Sequence, residues 1–292
     1  SSPAGAGRAV PLRILLTGPT GQVGSALLDT LPSLGEVVPL DRAQLDLADF
    51  DSIRKAVRQV RPQLIVNAAA YTAVDQAEKE PALAHRINAE GPAVLAEEAA
   101  KLGVLLMHFS TDYVFDGEKP SPYLETDETN PLNAYGRSKR AGERAIQASG
   151  CRHLIFRTGW VYAATGNNFM LTMLRLAREG KPLRVVADQR GAPTSSAMIA
   201  KATADVLNKS GGQEGLYHMT AAGSTTWHGF ACAIFEQAGL NAQATPIASS
   251  AYPAPARRPR NSVLDNGRLA GHGIRLPSWE EGLRDVLLHT RP

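Results

Sequence analysis

The chain has 292 residues, of which 31 are basic and 28 are acidic, and its formal charge is +3 at pH 7. This length suits one α/β domain or a domain with an added lobe, and the near balance of charge argues against a general nucleic-acid or membrane-binding surface. Two cysteines far apart in sequence, Cys151 and Cys232, fit reduced thiols better than a disulfide framework. Since no apolar run could span a bilayer and residues 1–10 lack a secretory signal, we expect a cytoplasmic protein with a flexible N-terminal tail.

Strands and helices alternate through the first half of the chain. The strands are short apolar runs, and the helices between them carry apolar residues at helical spacing. In chain order we predict strand 13–17, helix 23–34, strand 37–40, helix 51–60, strand 64–68, helix 84–102, strand 104–109, helix 134–149 and strand 153–157. This alternation indicates an α/β fold with a doubly wound parallel sheet that helices cover on both faces.

The alternation loosens after Trp160, and the Pro-rich segment 252–260 is the clearest irregular stretch. We therefore predict a dinucleotide-binding domain over residues 11–163 and a smaller C-terminal substrate lobe over residues 164–292. Parts of 184–209 are candidates to return to the first domain.

A glycine-rich turn, Gly18, Gly21 and Gly24, lies between the first strand and the first helix. Backbone amides and the helix dipole can hold a pyrophosphate there, and we include Gln22 and Val23 in this predicted cofactor site. The spacing is GxxGxxG, and it resembles the variant of extended short-chain dehydrogenase/reductases. A plain tight turn with close helix packing is the alternative.

Residues at the end of the second strand bear on the choice of cofactor. Asp41 can accept hydrogen bonds from the adenosine ribose, whereas the guanidinium of Arg42 can neutralise a 2'-phosphate. Both NADH and NADPH stay open, with NADPH slightly favoured. Asp46 and Leu47 can reach the adenine, although a helix N-cap or turn role fits Asp46 equally well.

The end of the third strand is rich in small residues. Three alanines in the segment 67–72 leave room for a cofactor to cross the strand ends, or serve strand–helix packing. From this segment we assign to the cofactor site Ala70, Tyr71 and Thr72.

Tyr135 and Lys139 are four residues apart, which places both side chains on one face of a helix. A phenol has a pKa of about 10 and serves as an acid near neutral pH only if a nearby positive charge favours its ionised form. Lys139 can supply that charge, so the pair predicts a ketone-reducing proton donor. Alone, the pair would be better explained by an amphipathic helix.

Several sequence blocks resemble the dTDP-4-dehydrorhamnose reductase family in the order in which they occur. The blocks are 67–75, 110–117, 135–139, 157–162, 166–169, 188–194, 215–218, 225–227 and 258–262. The resemblance covers nearly the whole chain. It implies a Rossmann-like fold and reduction of the 4-keto group of dTDP-4-dehydro-L-rhamnose to dTDP-L-rhamnose by NADPH or NADH.

The resemblance also implies roles for the residues of the reaction site. Tyr135 gives a proton to the developing alkoxide, and Lys139 holds the nicotinamide ribose and lowers the pKa of the phenol. Thr111 would hydrogen-bond the carbonyl oxygen. Asp112 would either contact the substrate or cap the following loop, and the two roles fit it equally well. Trp160 would contact the substrate.

Two further residues are candidates for the diphosphate of the sugar nucleotide. Asn168 either caps the helix that follows it or reaches the pyrophosphate, and capping is the simpler role. Its neighbour Asn167 offers the same two roles. At least one arginine of 257–260 is expected to bind phosphate oxygens, with Arg258 as the candidate, although a solvated surface loop is the alternative.

Metal binding is not expected, because the seven histidines show no metal-ligand spacing. Some relatives form metal-linked dimers, but the segment 195–198 offers no carboxylate for such a link, so we expect a monomer rather than a homodimer. One alternative function is a reductase or epimerase of another nucleotide sugar. A second is a non-catalytic regulatory subunit resembling the β subunit of methionine adenosyltransferase, which the blocks 225–227 and 258–259 disfavour.

Overall fold

The computed structural model of the protein describes residues 12–209 and 214–290. The predicted tail at residues 1–10 lies outside the described residues. The strands are β1 (Leu12–Thr17), β2 (Gly35–Leu40), β3 (Leu64–Asn67), β4 (Leu105–Thr111), β5 (His153–Thr158), β6 (Val161–Tyr162), β7 (Leu183–Val186), β8 (Arg190–Gly191), β9 (Thr194–Ser195), β10 (Gly215–His218), β11 (Thr225–Thr226) and β12 (Ala244–Ile247).

The helices between and after these strands vary from one to four turns. They are α1 (Gln22–Thr30), α2 (Phe50–Val60), α3 (Val74–Lys79), α4 (Pro81–His85), α5 (Gly91–Leu102), α6 (Ala134–Ala148), α7 (Phe169–Arg178), α8 (Ser196–Lys209), α9 (Trp227–Gln237), α10 (Gly267–Ala270) and α11 (Trp279–Leu288). Within the described ranges, no helix is both long and apolar enough to cross a membrane.

Six parallel strands form the central sheet, in the order β2, β1, β3, β4, β5 and β10. Alternate residues of each strand face opposite sides of the sheet, and both sides are apolar. On one side Leu16 and Val66 pack with α1 and α8, and on the other Leu15 and Ile65 pack with α2, α5 and α6. The predicted doubly wound fold is therefore confirmed.

Two predicted helices differ from the structure at prolines. The predicted helix 23–34 stops being α-helical after Thr30 and continues as a short 3₁₀ turn that contains Pro32. The predicted helix 84–102 is divided into α4, a π-helical turn at Arg86–Glu90 and α5. Pro92 has no N–H to donate to the preceding turn, so regular α-helical bonding cannot run through it.

The second half of the chain has its own apolar core, in which Met170 of α7, Phe230 of α9 and Leu283 of α11 are fully buried. Two segments of this half lie with the central sheet instead: α8 packs beside α1, and β10 forms the edge next to β5. A division of the chain at residue 163 stays a proposal, and any such division must return both segments to the first domain.

Candidate active site

A cleft of about 650 Å³ opens at the carboxyl ends of the central strands. β1 is the neighbour of both β2 and β3, so the chain reverses its winding direction there, which is where doubly wound proteins bind ligands. Most of the residues predicted for the site line this cleft. They are Gly18, Gly21, Gln22, Val23, Asp41, Arg42, Asp46, Leu47, Ala70, Thr72, Thr111, Asp112, Tyr135, Lys139 and Trp160.

The glycine turn is shaped by close backbone contacts. Gly18 has a φ of +63°, and a Cβ there would lie 2.7 Å from the backbone of Ala68 and Ala69. A Cβ on Gly24 would lie 1.8 Å from the carbonyl oxygen of Gly18, so Gly24 serves the packing behind the turn and does not line the cleft. Gly21 precedes α1 without a side-chain cap, which leaves amides of the first turn for an anion. These features fit a dinucleotide pyrophosphate.

The end of β3 is fixed by hydrogen bonds from β1. The Thr17 hydroxyl donates to Oδ1 of Asn67 over 2.6 Å and accepts from the amides of Ala68 and Ala69. The backbone of these small alanines is therefore held in place, and it forms one wall of the cleft. Tyr71 does not line it, because its amide donates to Asn88 and its hydroxyl to Glu80.

The acidic and basic residues after β2 lie at one end of the cleft. Oδ1 of Asp41 accepts from the amides of Ala43 and Gln44, which fixes a turn. Arg42 is largely exposed, with its Nε 3.8 Å from a carboxylate oxygen of Asp46. Asp46 also accepts from the amide of Ala48, so it has the turn role that was one of its two alternatives. The guanidinium of Arg42 is thus an exposed positive charge at this end of the cleft.

Thr111, Tyr135 and Lys139 come together where β4 meets α6. Asn133 caps α6 by accepting from the amide of Gly136, so Tyr135 lies in the first turn. Burial raises the pKa of Tyr135 to about 12, and a hydrogen bond with the Thr111 hydroxyl opposes that rise. The phenol is therefore protonated at neutral pH, as a proton donor must be.

Lys139 is almost completely buried, and its Nζ donates to the carbonyl oxygen of Phe109 over 2.6 Å. Burial lowers the pKa of Lys139 to about 8, against the opposing charge of Glu143 one turn later. Glu143 in turn accepts from Arg157 of β5 and Ser110 of β4. The buried ion pair between Glu143 and Arg157 fixes α6 on the sheet, and it thereby fixes the position of Lys139 at the strand ends.

Asp112 is a buried carboxyl group beside the catalytic candidates. Its Oδ1 accepts from the Thr111 hydroxyl over 3.2 Å, and a Cβ on Gly159 would lie 2.4 Å from its carboxylate. Burial raises the pKa of Asp112 to about 7, with hydrogen bonds from Ser262 and Thr111 opposing the rise. The cap of the short turn Asp112–Val114 is the Thr111 hydroxyl, which accepts from the amide of Tyr113.

We expect Asp112→Asn to raise the melting temperature at pH 8 by a few degrees and to change it little at pH 4. The pKa of Asp112 is about 7 when folded against an ordinary value of 3.8, so the folded protein binds the proton more tightly. The stability that the protonated carboxyl group of Asp112 contributes is therefore lost as the pH rises from about 4 to 7. Asparagine stays neutral. Calorimetry at both pH values tests this, with Asp51→Asn at an exposed position as the control, and an equal shift at both pH values would contradict it.

Two predicted substrate residues lie outside the cleft lining. Asn168 caps α7 by accepting from the amide of Leu171, and its amide group donates to Oε1 of Gln22. Arg258 pairs with the carboxylate of Asp75, with its NH1 2.9 Å from Oδ1. Capping is thus the role of Asn168 in this structure, and substrate contact by either residue stays a prediction.

Several residues of the cleft were not among those predicted. The chief ones are Tyr113, Gly159 and Trp227. Trp227 begins α9 after the capping residue Thr226. The Thr-Thr pair directly before it was a usable signal for a helix start. Among the described residues, no group of three or more His, Cys, Asp or Glu side chains is arranged to hold a metal ion.

Comparisons with known proteins point to one family. The family model described as "RmlD substrate binding domain" matches residues 12–291. The dTDP-4-dehydrorhamnose reductase of Burkholderia thailandensis is 49% identical, over 94% of this chain and 99% of its own. That of Escherichia coli K12 is 46% identical, over 94% of this chain and 97% of its own. The crystal structure of the Bacillus anthracis reductase in complex with NADP superposes with a TM-score of 0.93 at 37% identity, over 96% of this chain and 100% of its own.

Proposed function

The chain belongs to the dTDP-4-dehydrorhamnose reductase family, and from that premise we propose that it reduces the 4-keto group of dTDP-4-dehydro-L-rhamnose to dTDP-L-rhamnose. The observation that carries the proposal is the convergence of Thr111, Tyr135 and Lys139 in the cleft that the glycine turn forms. The product is a nucleotide sugar for polysaccharide biosynthesis.

The proposed roles follow from the protonation and contacts of these side chains. When bound, a nicotinamide cofactor supplies the hydride for the keto carbon. Thr111 hydrogen-bonds the keto oxygen and shares the charge that develops on it. Tyr135 donates its phenolic proton to the same oxygen, and the positive charge of Lys139 stabilises the phenolate that remains. Burial of Lys139 strengthens this electrostatic effect because water screens it less.

The cofactor would lie along the cleft from the glycine turn to Lys139. The amides at the start of α1 would hold the pyrophosphate. The small alanines after β3 would leave room for the cofactor to cross the strand ends. Lys139 would hydrogen-bond the nicotinamide ribose. Asp112 and Trp160 would contact the sugar, since both line the cleft near Thr111.

Substrate choice is tested directly by incubating the protein with NADPH and each of several keto sugars. We expect NADPH consumption with dTDP-4-dehydro-L-rhamnose and much slower consumption with UDP- and GDP-linked keto sugars. Preference for a UDP or GDP sugar would instead support another nucleotide-sugar reductase. Absence of turnover with all of them, together with co-purification of a partner enzyme, would support the regulatory-subunit alternative.

We propose NADPH as the preferred cofactor because the guanidinium of Arg42, which is 3.8 Å from Asp46, is largely exposed at the end of the cleft, where a 2'-phosphate can approach it. Arg42→Ala should raise the KM for NADPH about tenfold, the loss of one charge-assisted contact. The KM for NADH should change little, which serves as the internal control. Steady-state kinetics with both cofactors measures this, and an equal rise for both would remove Arg42 from phosphate recognition.

The cytoplasmic location and the monomeric state both stay predictions. Ser195 at the end of β9 and Ser196 at the start of α8, in the segment that offers no carboxylate for a metal-linked dimer, are both buried. Light scattering of the purified protein with and without a chelator tests the monomer.

A further inference from the structure

Trp160 has an unusual backbone conformation for a bulky residue. Its φ is +52°, in the left-handed region that non-glycine residues rarely adopt. Trp160 follows Gly159, which is packed closely against the carboxylate of Asp112. The carbonyl oxygen of Trp160 accepts a hydrogen bond from the amide of Thr194 over 3.1 Å. The turn is thus fixed on both sides, and it places the indole in the wall of the cleft.

Two residues far along the chain hold that indole. The rings of Trp160 and Trp227 are stacked, with centroids 3.6 Å apart and an interplanar angle of 5°. A Cβ on Gly191 would lie 2.3 Å from the indole of Trp160, so only glycine leaves room for the ring. Gly191 and Trp227 are brought together because β8 pairs with β11, which ends directly before α9.

Trp227 is itself held in place by polar and aromatic contacts. Its Nε1 donates to Oε1 of Gln189 over 3.2 Å, and Nε2 of Gln189 donates to the hydroxyl of Ser249. The ring of Phe169 lies 4.9 Å from that of Trp227. These contacts hold the ring of Trp227 in place, and the indole of Trp160 stacks against it.

We propose that Trp227 and Gly191 are positioning residues that hold the Trp160 indole for contact with the apolar side of the sugar ring, including its C6 methyl group. The inference rests on the proposed function, because a 6-deoxy sugar presents such a side. Trp160 is only 9% exposed, so the surface that it offers is small. A small, fixed apolar surface suits a methyl group and disfavours a hydroxymethyl group, which would lose its water there.

The first test compares substitutions of Trp227. Trp227→Leu should raise the KM for the dTDP keto sugar about tenfold or more, the usual cost of removing an aromatic anchor. Trp227→Phe should stay much closer to the native value because it retains a stacking ring. The Kd for NADPH should be unchanged in both, and Trp279→Phe, in the lobe core outside the cleft, is the matched control. A native KM in Trp227→Leu, or equal damage in both variants, would overturn the proposal.

The second test asks whether Trp227 acts through Trp160. If it does, the Trp160→Ala/Trp227→Leu double variant should have a KM no higher than that of Trp160→Ala alone. Additive effects would show an independent contact of Trp227 and would overturn the proposed positioning role.

The third test requires no substrate. In a Trp279→Phe background the remaining tryptophans are Trp160 and Trp227. Gly191→Ala should displace the Trp160 indole and increase acrylamide quenching of the tryptophan fluorescence of this background. Unchanged quenching would overturn the role of Gly191. If the native protein did not reduce the sugar, the proposed function would fail, and this measurement would still decide whether Gly191 holds the indole.

Discussion

Replacing Tyr135 by phenylalanine should lower kcat by about 10²–10⁴-fold, the range for loss of a general acid. The ring and its contact with Tyr113, whose centroid is 6.4 Å away, would remain, and only the transferable proton would be lost. Because burial keeps the phenol protonated, the native enzyme has this proton available throughout the neutral range.

The measurement combines steady-state kinetics of Tyr135→Phe with a fluorescence titration of NADPH. We expect the Kd for NADPH to stay within about twofold of the native value, because the change removes a transition-state interaction only. Tyr252→Phe, at an exposed position, is the control for the removal of a phenol. A kcat close to the native value would eliminate Tyr135 as the acid.

The central sheet was predictable because its strands are apolar runs whose pattern is local. β10 shows the limit of that approach. Residues 215–218 join the edge of the sheet by pairing with β5, about sixty residues earlier, and nothing in the short segment itself distinguishes a strand of the central sheet from a surface turn. The pairing depends on long-range packing, which sequence periodicity does not encode.

The cleft was predictable to the extent that its residues follow strands in sequence. The glycine turn, Thr111 and Tyr135 each occur at a strand end or a helix start, where parallel α/β folds bind ligands. The block 225–227 contributed to the family resemblance, but no role in the cleft was predicted for Trp227, because its position there depends on the pairing of β8 with β11. The pairing of Arg258 with Asp75 joins residues 183 apart in sequence, and no local pattern shows it.

Lys139 was expected from sequence to lower the pKa of the Tyr135 phenol. In the structure its ammonium donates to the carbonyl of Phe109, and the contact that favours the ionised phenol comes from Thr111. Burial, Thr111 and Asp112 set the pKa of Tyr135 in this state, so we propose that the charge of Lys139 acts on the phenolate that forms during the reaction. We also propose that Lys139 holds the nicotinamide ribose. Both roles require the ammonium to be protonated.

Lys139→Met should consequently impair both cofactor binding and turnover. We expect the Kd for NADPH to rise about tenfold, the loss of a charge-assisted hydrogen bond, and kcat to fall by at least about 10²-fold as the phenolate loses its stabilising charge. Titration and single-turnover kinetics separate the two effects. Lys101→Met, at an exposed position on α5, is the matched control, and native values for both constants in Lys139→Met would contradict these roles.

The pH dependence provides an independent test of the same charge. Burial lowers the pKa of Lys139 to about 8, so the ammonium is present below that pH and is lost as the pH rises through it. The kcat/KM for NADPH reports the free enzyme, and it should decline above pH 8 in the native protein. Lys139→Arg keeps its charge at every accessible pH, so whatever activity it retains should show no such decline. A decline of the same midpoint in Lys139→Arg would assign the titration to another group, with Asp112 the next candidate because its pKa is about 7.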